Sequence, residues 1–147
     1  MRTRAVAILI QNNAVALLER HRFGQHYFIF PGGGVDEGEI PEQAVVRETH
    51  EELGVHVHVI RLVAEVWFHG NRQLYFLVEQ TGGEFGTGTG EEYGEYDPMK
   101  GTFQPVWMPI ADLPANPVKP ADICELVIRG HVRGWPEEPT LISEQTN

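Results

Sequence analysis

This chain contains only one cysteine, Cys124, which excludes an internal disulfide and any zinc site built from several thiolates and favours a reducing, cytoplasmic setting. Cationic side chains are also scarce, with 11 Lys and Arg against 21 Asp and Glu and a formal net charge of -10. A balance of that sign works against broad binding to nucleic acid or to a membrane surface, because phosphate polyanions are repelled. Long apolar runs are missing too: none approaches the roughly 18 residues needed to span a bilayer. The apolar start, Ala5 to Ile10, is shorter than the ~7–15 residues of a secretory core, and polar Gln11-Asn12-Asn13 follows it, so it reads as a first strand. Neither an internal repeat nor a domain-dividing linker is visible. What is present is a 147-residue chain with 41% hydrophobic and 22% charged residues, enough for one hydrophobic core. The expected organisation is a single domain over 1–135 and a loosely held polar tail over 136–147.

Apolar periodicity and turn residues outline the elements. Arg4 to Ile10 is almost continuously apolar, the pattern of a strand covered on both faces. The turn pair Asn12-Asn13 leads to a hairpin partner over Ala14 to Arg20. Tyr27 to Phe30 is a short strand stopped by Pro31-Gly32-Gly33-Gly34. A helix is predicted over Pro41 to Leu53, with Pro41 at its first position and Gly54 as its C-terminal cap. Val55 to Phe68 and Gln73 to Glu79 are strand-like and joined by a turn at Gly70-Asn71. A glycine-rich stretch between Thr81 and Gly101 has the length of a functional loop. Phe103 to Met108 reads as a strand, and Ala121 to Gly130 as a second helix carrying Cys124 on its core side. Strands mixed with two helices make the fold class α/β or α+β.

The negative charge is concentrated in two places. Gly33 to Val55 holds seven acids (Asp36, Glu37, Glu39, Glu42, Glu48, Glu51, Glu52) and one base, Arg47, a net of -6. Glu91 to Asp97 adds Glu91, Glu92, Glu95 and Asp97 with no base, a net of -4. On the first helix, Glu48, Glu51 and Glu52 are spaced i, i+3 and i+4, which puts them within one stripe of about 100°. Three like charges in one turn destabilise a helix unless something positive binds there. Hard divalent cations such as Mg²⁺ or Mn²⁺ take oxygen ligands and suit that stripe. Arg47 can reach Glu51 or the upstream Glu39, and the glycines after Pro31 let main chain approach closely enough to lend a carbonyl.

Together these residues resemble the Nudix hydrolase family. Its box runs Gly, five residues, Glu, seven residues, Arg-Glu, an aliphatic, any residue, Glu-Glu, any residue, Gly, aliphatic. Gly33, Glu39, Arg47, Glu48, Glu51, Glu52, Gly54 and Val55 match it, and Thr49 at the first aliphatic position departs from it. The resemblance implies an α/β/α sandwich with a mixed β-sheet, and hydrolysis of a nucleoside diphosphate linked to another moiety. It further implies that Glu48 and Glu52 are metal ligands, that Glu51 is a third ligand or the base activating water, and that the Gly33 carbonyl also binds metal. Arg47 and Glu39 would orient the ligands. The cofactor implied is Mg²⁺ or Mn²⁺, more than one ion with substrate bound. In this family the general base can also come from a loop, and Glu92 in the second acidic cluster is the residue selected for that role.

Substrate contacts are less legible. Arg4, Arg20, Arg22 and His21 lie near strand ends and are candidates to grip phosphate or ribose, while Tyr27, Trp67, Tyr75 and Tyr93 are candidates to stack on a base. His56 and His58 share a strand face and are expected to be ordinary polar positions. The expected partner is a small nucleotide, not nucleic acid or a membrane, and the family likeness leaves a homodimer open. Two alternatives remain: a (d)NTP pyrophosphatase of the nucleotide-sanitising kind, which often has Lys where this chain has Gly34, and a Nudix-fold nucleotide sensor without turnover. Action on triphosphorylated or capped RNA is disfavoured by the lack of a basic surface.

Overall fold

The computed structural model describes residues 2–88 and 101–143. Its first strand, β1 (Thr3–Gln11), is buried through its centre. Alternation sends Val6 and Ile8 into one hydrophobic cluster and Ala5, Ala7 and Leu9 into another. β2 (Ala14–Arg22) splits the same way, Val15 and Leu17 to the first cluster and Ala16 and Leu18 to the second. The continuous apolar runs therefore belong to strands with a core on each side. β3 (Gln25–Ile29) and the short β4 (Gly32–Gly34) follow, then α1 (Pro41–Leu53), β5 (Val55–Phe68) and β6 (Asn71–Gly83). After the undescribed stretch come β7 (Thr102–Pro109), a 3-10 turn over Ile110–Ala115, β8 (Val118–Lys119), α2 (Ala121–Arg133) and β9 (Thr140–Ser143).

The strands run in the order β8-β3-β2-β1-β6-β5-β9, with β4 also on β1 and β7 also on β2. Pairs β1/β6, β3/β8 and β5/β9 are parallel and the others antiparallel, so the sheet is mixed. α1 covers one face, placing Ala44, Val45 and Leu53 against Ala5, Leu9, Leu74 and Phe76. α2 covers the other, with Ile123, Leu126 and Val127 against Ile8, Val63 and Val66. Burying each such aliphatic side chain contributes roughly 1.5–3 kcal/mol. The expected α/β/α sandwich is thus formed. None of the described helices is long and apolar enough to cross a membrane.

One feature of the pairing makes room for a site. β1 meets β2 only at Ile10↔Val15 and Gln11↔Ala14 before the strands diverge. β4 fills the wedge, pairing Gly34, Gly33 and Gly32 with Arg4, Ala5 and Val6. The glycine run expected only to stop β3 is itself a strand, and glycine is needed there: a Cβ at Gly32 would strike the Ala5 carbonyl.

Other boundaries also differ from expectation. The β5–β6 turn is His69-Gly70, not Gly70-Asn71, because both turn residues have positive φ (49° and 76°) and Asn71 is already paired with Phe68. The same two-residue turn joins β2 to β3 at Phe23-Gly24 (φ 50° and 74°), so β3 begins at Gln25, two residues before the expected Tyr27. α2 runs past Gly130 to Arg133, since Gly130 provides a seat for the Trp135 ring rather than a stop. Thr140–Ser143, in the segment expected to hang loose, pairs in parallel with Ala64–Trp67 of β5.

Candidate active site

The site is built on α1. Its first turn lacks a Ser/Thr/Asp/Asn cap, and instead the Ile40 amide donates to Gln43 Oε1 at 3.1 Å. At the other end Gly54 adopts φ 83°, and its amide donates to the His50 carbonyl at 2.9 Å. With both ends held, Val45, Thr49 and Leu53 face the core. Thr49, the departure from the family box, is fully buried and donates its hydroxyl to the Val45 carbonyl at 2.6 Å, so the polar atom is satisfied within the helix.

Glu48, Glu51 and Glu52 line the wedge. Glu52 is only 3% exposed, and a carboxylate so buried needs a donor. The Gly32 amide supplies one at 2.7 Å. The Glu48 carboxylate occupies the space that a Cβ on Gly33 would fill. Arg47 ties the acidic side chains together: Nε and Nη2 both donate to the Glu39 carboxylate at 2.9 Å, and Nη1 donates to Glu48 at 2.9 Å and to Glu51 at 3.4 Å. Nη2 also donates to the Gly34 carbonyl at 3.0 Å, pinning β4 to α1. Held by Arg47 first, and by the Asp36 amide second, the Glu39 carboxyl is lowered to about 2. Hydrogen bonds to Glu39 first, and to Glu48, push Arg47 above its ordinary range.

These groups open into a cleft of about 660 Å³. It is lined by Gly32, Gly33, Gly34, Asp36, Arg47, Glu48, Glu51 and Glu52 together with Arg2, Arg4, Arg20, Ile29 and Phe103. Four arginines thus share the cleft with four carboxylates. Arg4 reaches the Gly32 carbonyl at 3.5 Å, and the Arg20 guanidinium lies 3.7 Å from the Phe103 ring centre. A second, more apolar cavity of about 340 Å³ shares Arg4 and Ile29 and continues past Val6, Phe30, Val66, Phe68, Tyr75 and Lys119.

The remaining candidates fall elsewhere. Arg22 does not line the cleft; its guanidinium lies 5.1 Å from the exposed Phe23 ring. His21 also stays out of the cleft and stacks on His26. Tyr27 does not line the cleft; its ring centre lies 5.9 Å from the Arg20 guanidinium and 4.7 Å from Lys119 Nζ. Trp67 lines a separate pocket of about 170 Å³ with Asp122 and Ile142. Glu92 and Tyr93 lie outside the described residues. Tyr75 does reach the second cavity, where burial holds its phenol well above the usual range. Burial likewise pushes the Cys124 thiol up to about 11, which leaves no thiolate for a cysteine-based reaction at neutral pH. Sequence reasoning missed Arg2 and Phe103. Period-two alternation back from Arg4 signals Arg2, whereas nothing local marks Phe103.

The donor chemistry of the wedge fits Mg²⁺ or Mn²⁺: three carboxylates and no sulfur or imidazole. Arg47 and the Gly32 amide engage them from the protein side, so they are spread around the cleft rather than gathered on one point.

Known proteins match this picture. The family model described as NUDIX domain matches residues 1–124. The RNA pyrophosphohydrolase of Psychromonas ingrahamii is 49% identical over 59 residues, 40% of this chain and 33% of that protein. That of Vibrio atlanticus is 48% identical over 59 residues, covering 40% and 34%. The matched stretch is thus only about a third of the curated relatives' length. Among solved structures, an ADP-ribose pyrophosphatase from Streptococcus suis superposes with TM-score 0.68 at 20% identity, covering 97% of this chain and 98% of that one. A NUDIX hydrolase from Nitrosomonas europaea gives TM-score 0.73 at 17% identity, covering 97% and 79%. At these identities the structural likeness bears on the fold alone.

Proposed function

The chain belongs to the NUDIX family, and from that premise we propose that it is a metal-dependent pyrophosphohydrolase acting on a small nucleoside diphosphate derivative. The observation that carries this reading is the single cleft that Glu48, Glu51 and Glu52 share with Arg2, Arg4 and Arg20. A pure binding module has no need of all three carboxylates in that cleft.

In this reading Glu48 and Glu52 would hold Mg²⁺ or Mn²⁺, with the Gly33 carbonyl as a further donor and Glu51 as either a third ligand or the base. When bound, such ions neutralise pyrophosphate oxygens, lower the pKa of a coordinated water and stabilise charge on the leaving phosphate. The Gly32 amide keeps Glu52 oriented, and Arg47, itself braced by Glu39, fixes Glu48 against β4. Glu51 is the most exposed of the three acids and is held only by 3.4 Å contacts, which suits it to accept the proton of the attacking water. Glu92 is the alternative base. Water oxygen bonds to one phosphorus while the bridging P–O bond breaks, and the bridging oxygen leaves with the other phosphate. Arg2, Arg4 and Arg20 grip the phosphates, and the adjoining apolar cavity takes the base or the second moiety.

The test is a panel of ADP-ribose, dinucleoside diphosphates and (d)NTPs with Mg²⁺ in oxygen-18 water, comparing wild type with Glu52→Gln. Turnover is expected to fall at least about 100-fold in the variant, more than is usual for loss of a residue that only supports a ligand. Label position identifies the attacked phosphorus. No turnover of any diphosphate by wild type overturns the reading in favour of a sensor.

A second substrate reading has one specific observation behind it, the 49% identity to an RNA pyrophosphohydrolase. A 5′-triphosphorylated oligoribonucleotide therefore belongs in the panel. The net charge of -10 favours the small nucleotide.

A further inference from the structure

Arg20 faces the cleft, so its neighbours on β2, Glu19 and His21, project to the opposite side of the strand. There His21 stands directly across from His26 of β3. Their imidazoles stack with centroids 4.4 Å apart and planes 3° from parallel. Glu19 Oε2 lies 2.6 Å from His26 Nε2 and 4.0 Å from His21 Nε2. One donor atom from each residue falls within 4.8 Å of the other two, and among the described residues no other three His, Cys, Asp or Glu side chains gather so closely.

We propose that Glu19, His21 and His26 form a second metal site, for a borderline transition ion such as Zn²⁺, distinct from the carboxylate helix. Two imidazoles and a carboxylate suit Zn²⁺ and its neighbours in the series rather than Mg²⁺. Paired antiparallel positions hold their Cβ atoms about 4.5–5.5 Å apart, a separation from which two imidazoles can turn toward one ion. The two-residue turn Phe23-Gly24, with φ 50° and 74°, fixes the register that opposes them. His21 and His26 are 61% and 46% exposed, so the remaining coordination positions are open to water or an exogenous ligand. An ion here clamps the two strands whose other face carries Arg20 and Tyr27. The assignment is independent of the hydrolase reading.

Calorimetric titration with Zn²⁺ in excess Mg²⁺, which occupies the hard oxygen sites, tests it. Wild type is compared with the His21→Ala/His26→Ala double variant and with His50→Ala/His56→Ala. The second double variant removes the other stacked histidine pair, whose centroids are 4.3 Å apart. Wild type is expected to bind one equivalent. Affinity should fall more than about tenfold in the His21/His26 variant and persist in the His50/His56 variant. Substituted Co²⁺ should show visible d–d absorption in wild type that the His21/His26 variant lacks. No Zn²⁺ binding in excess Mg²⁺, equal affinity in the His21/His26 variant, or loss only in the His50/His56 variant would each overturn the proposal.

Discussion

A methyl group on Gly33 would land on the Glu48 carboxylate, whereas one on Gly32 would strike main chain. Gly33→Ala is therefore expected to move the Glu48 carboxylate, the metal ligand we propose, rather than unfold the protein. A displacement on the order of 1 Å at such a group can cost about 100-fold in rate. We expect kcat to fall by that order while the thermal midpoint shifts by a few degrees; unchanged kcat would show that Glu48 does not act from this position. Thr49 is the opposite case, a residue that breaks the family pattern with little consequence. Its hydroxyl only doubles a carbonyl contact inside the helix, so Thr49→Val should change stability by no more than about 1 kcal/mol by chemical denaturation. The charged box residues were legible from spacing alone, because a helix converts spacing directly into a shared face. The reason for Gly33 was not, since it depends on how closely β4 approaches α1.

α1 and β4 are joined by Arg47, and that joint gives the helix a pH signature. Folded Glu39 titrates at about 2, against an ordinary value of 4.5, chiefly because of its hydrogen bonds from Arg47. Its folded value is depressed, so the unfolded chain takes up the proton first as pH falls. The stabilisation is complete above 4.5 and is lost progressively as pH drops toward 2. Urea unfolding at pH 5 and pH 3 should show a larger loss in wild type than in Glu39→Gln, and equal slopes would refute the role given to this pair. The elements themselves were largely readable: α1 has the expected bounds, and the first strand and its hairpin follow from apolar runs around Asn12-Asn13. Turn register was less so. Phe23 and His69 take up positive φ despite carrying side chains, because Gly24 and Gly70 complete turns whose twist matches the strands they join.

For the molecule as a whole, the cleft gathers Arg2, Arg4 and Arg20 beside its carboxylates, so an overall charge of -10 does not describe the surface lining it. Arg20 is one of these cations, with its guanidinium 3.7 Å from the Phe103 ring centre. Arg20→Gln should raise KM for the nucleotide about tenfold or more, with a smaller change in kcat, in steady-state assays across substrate concentration. A fall in kcat alone would place Arg20 in the chemical step and not in binding.

The sequence by itself determined the acidic helix, its C-terminal glycine cap, the two-sided burial of β1, and the family whose box the helix carries. Each of these rests on spacings of a few residues, which local geometry turns into a face or a turn. The divergence of β1 from β2, the seating of β4 in the wedge, the recruitment of Phe103, and the addition of β9 were decided only by tertiary structure. Those features depend on which distant strands pair and in what register. Many alternative pairings bury the same apolar residues, and only close packing of the whole chain selects among them.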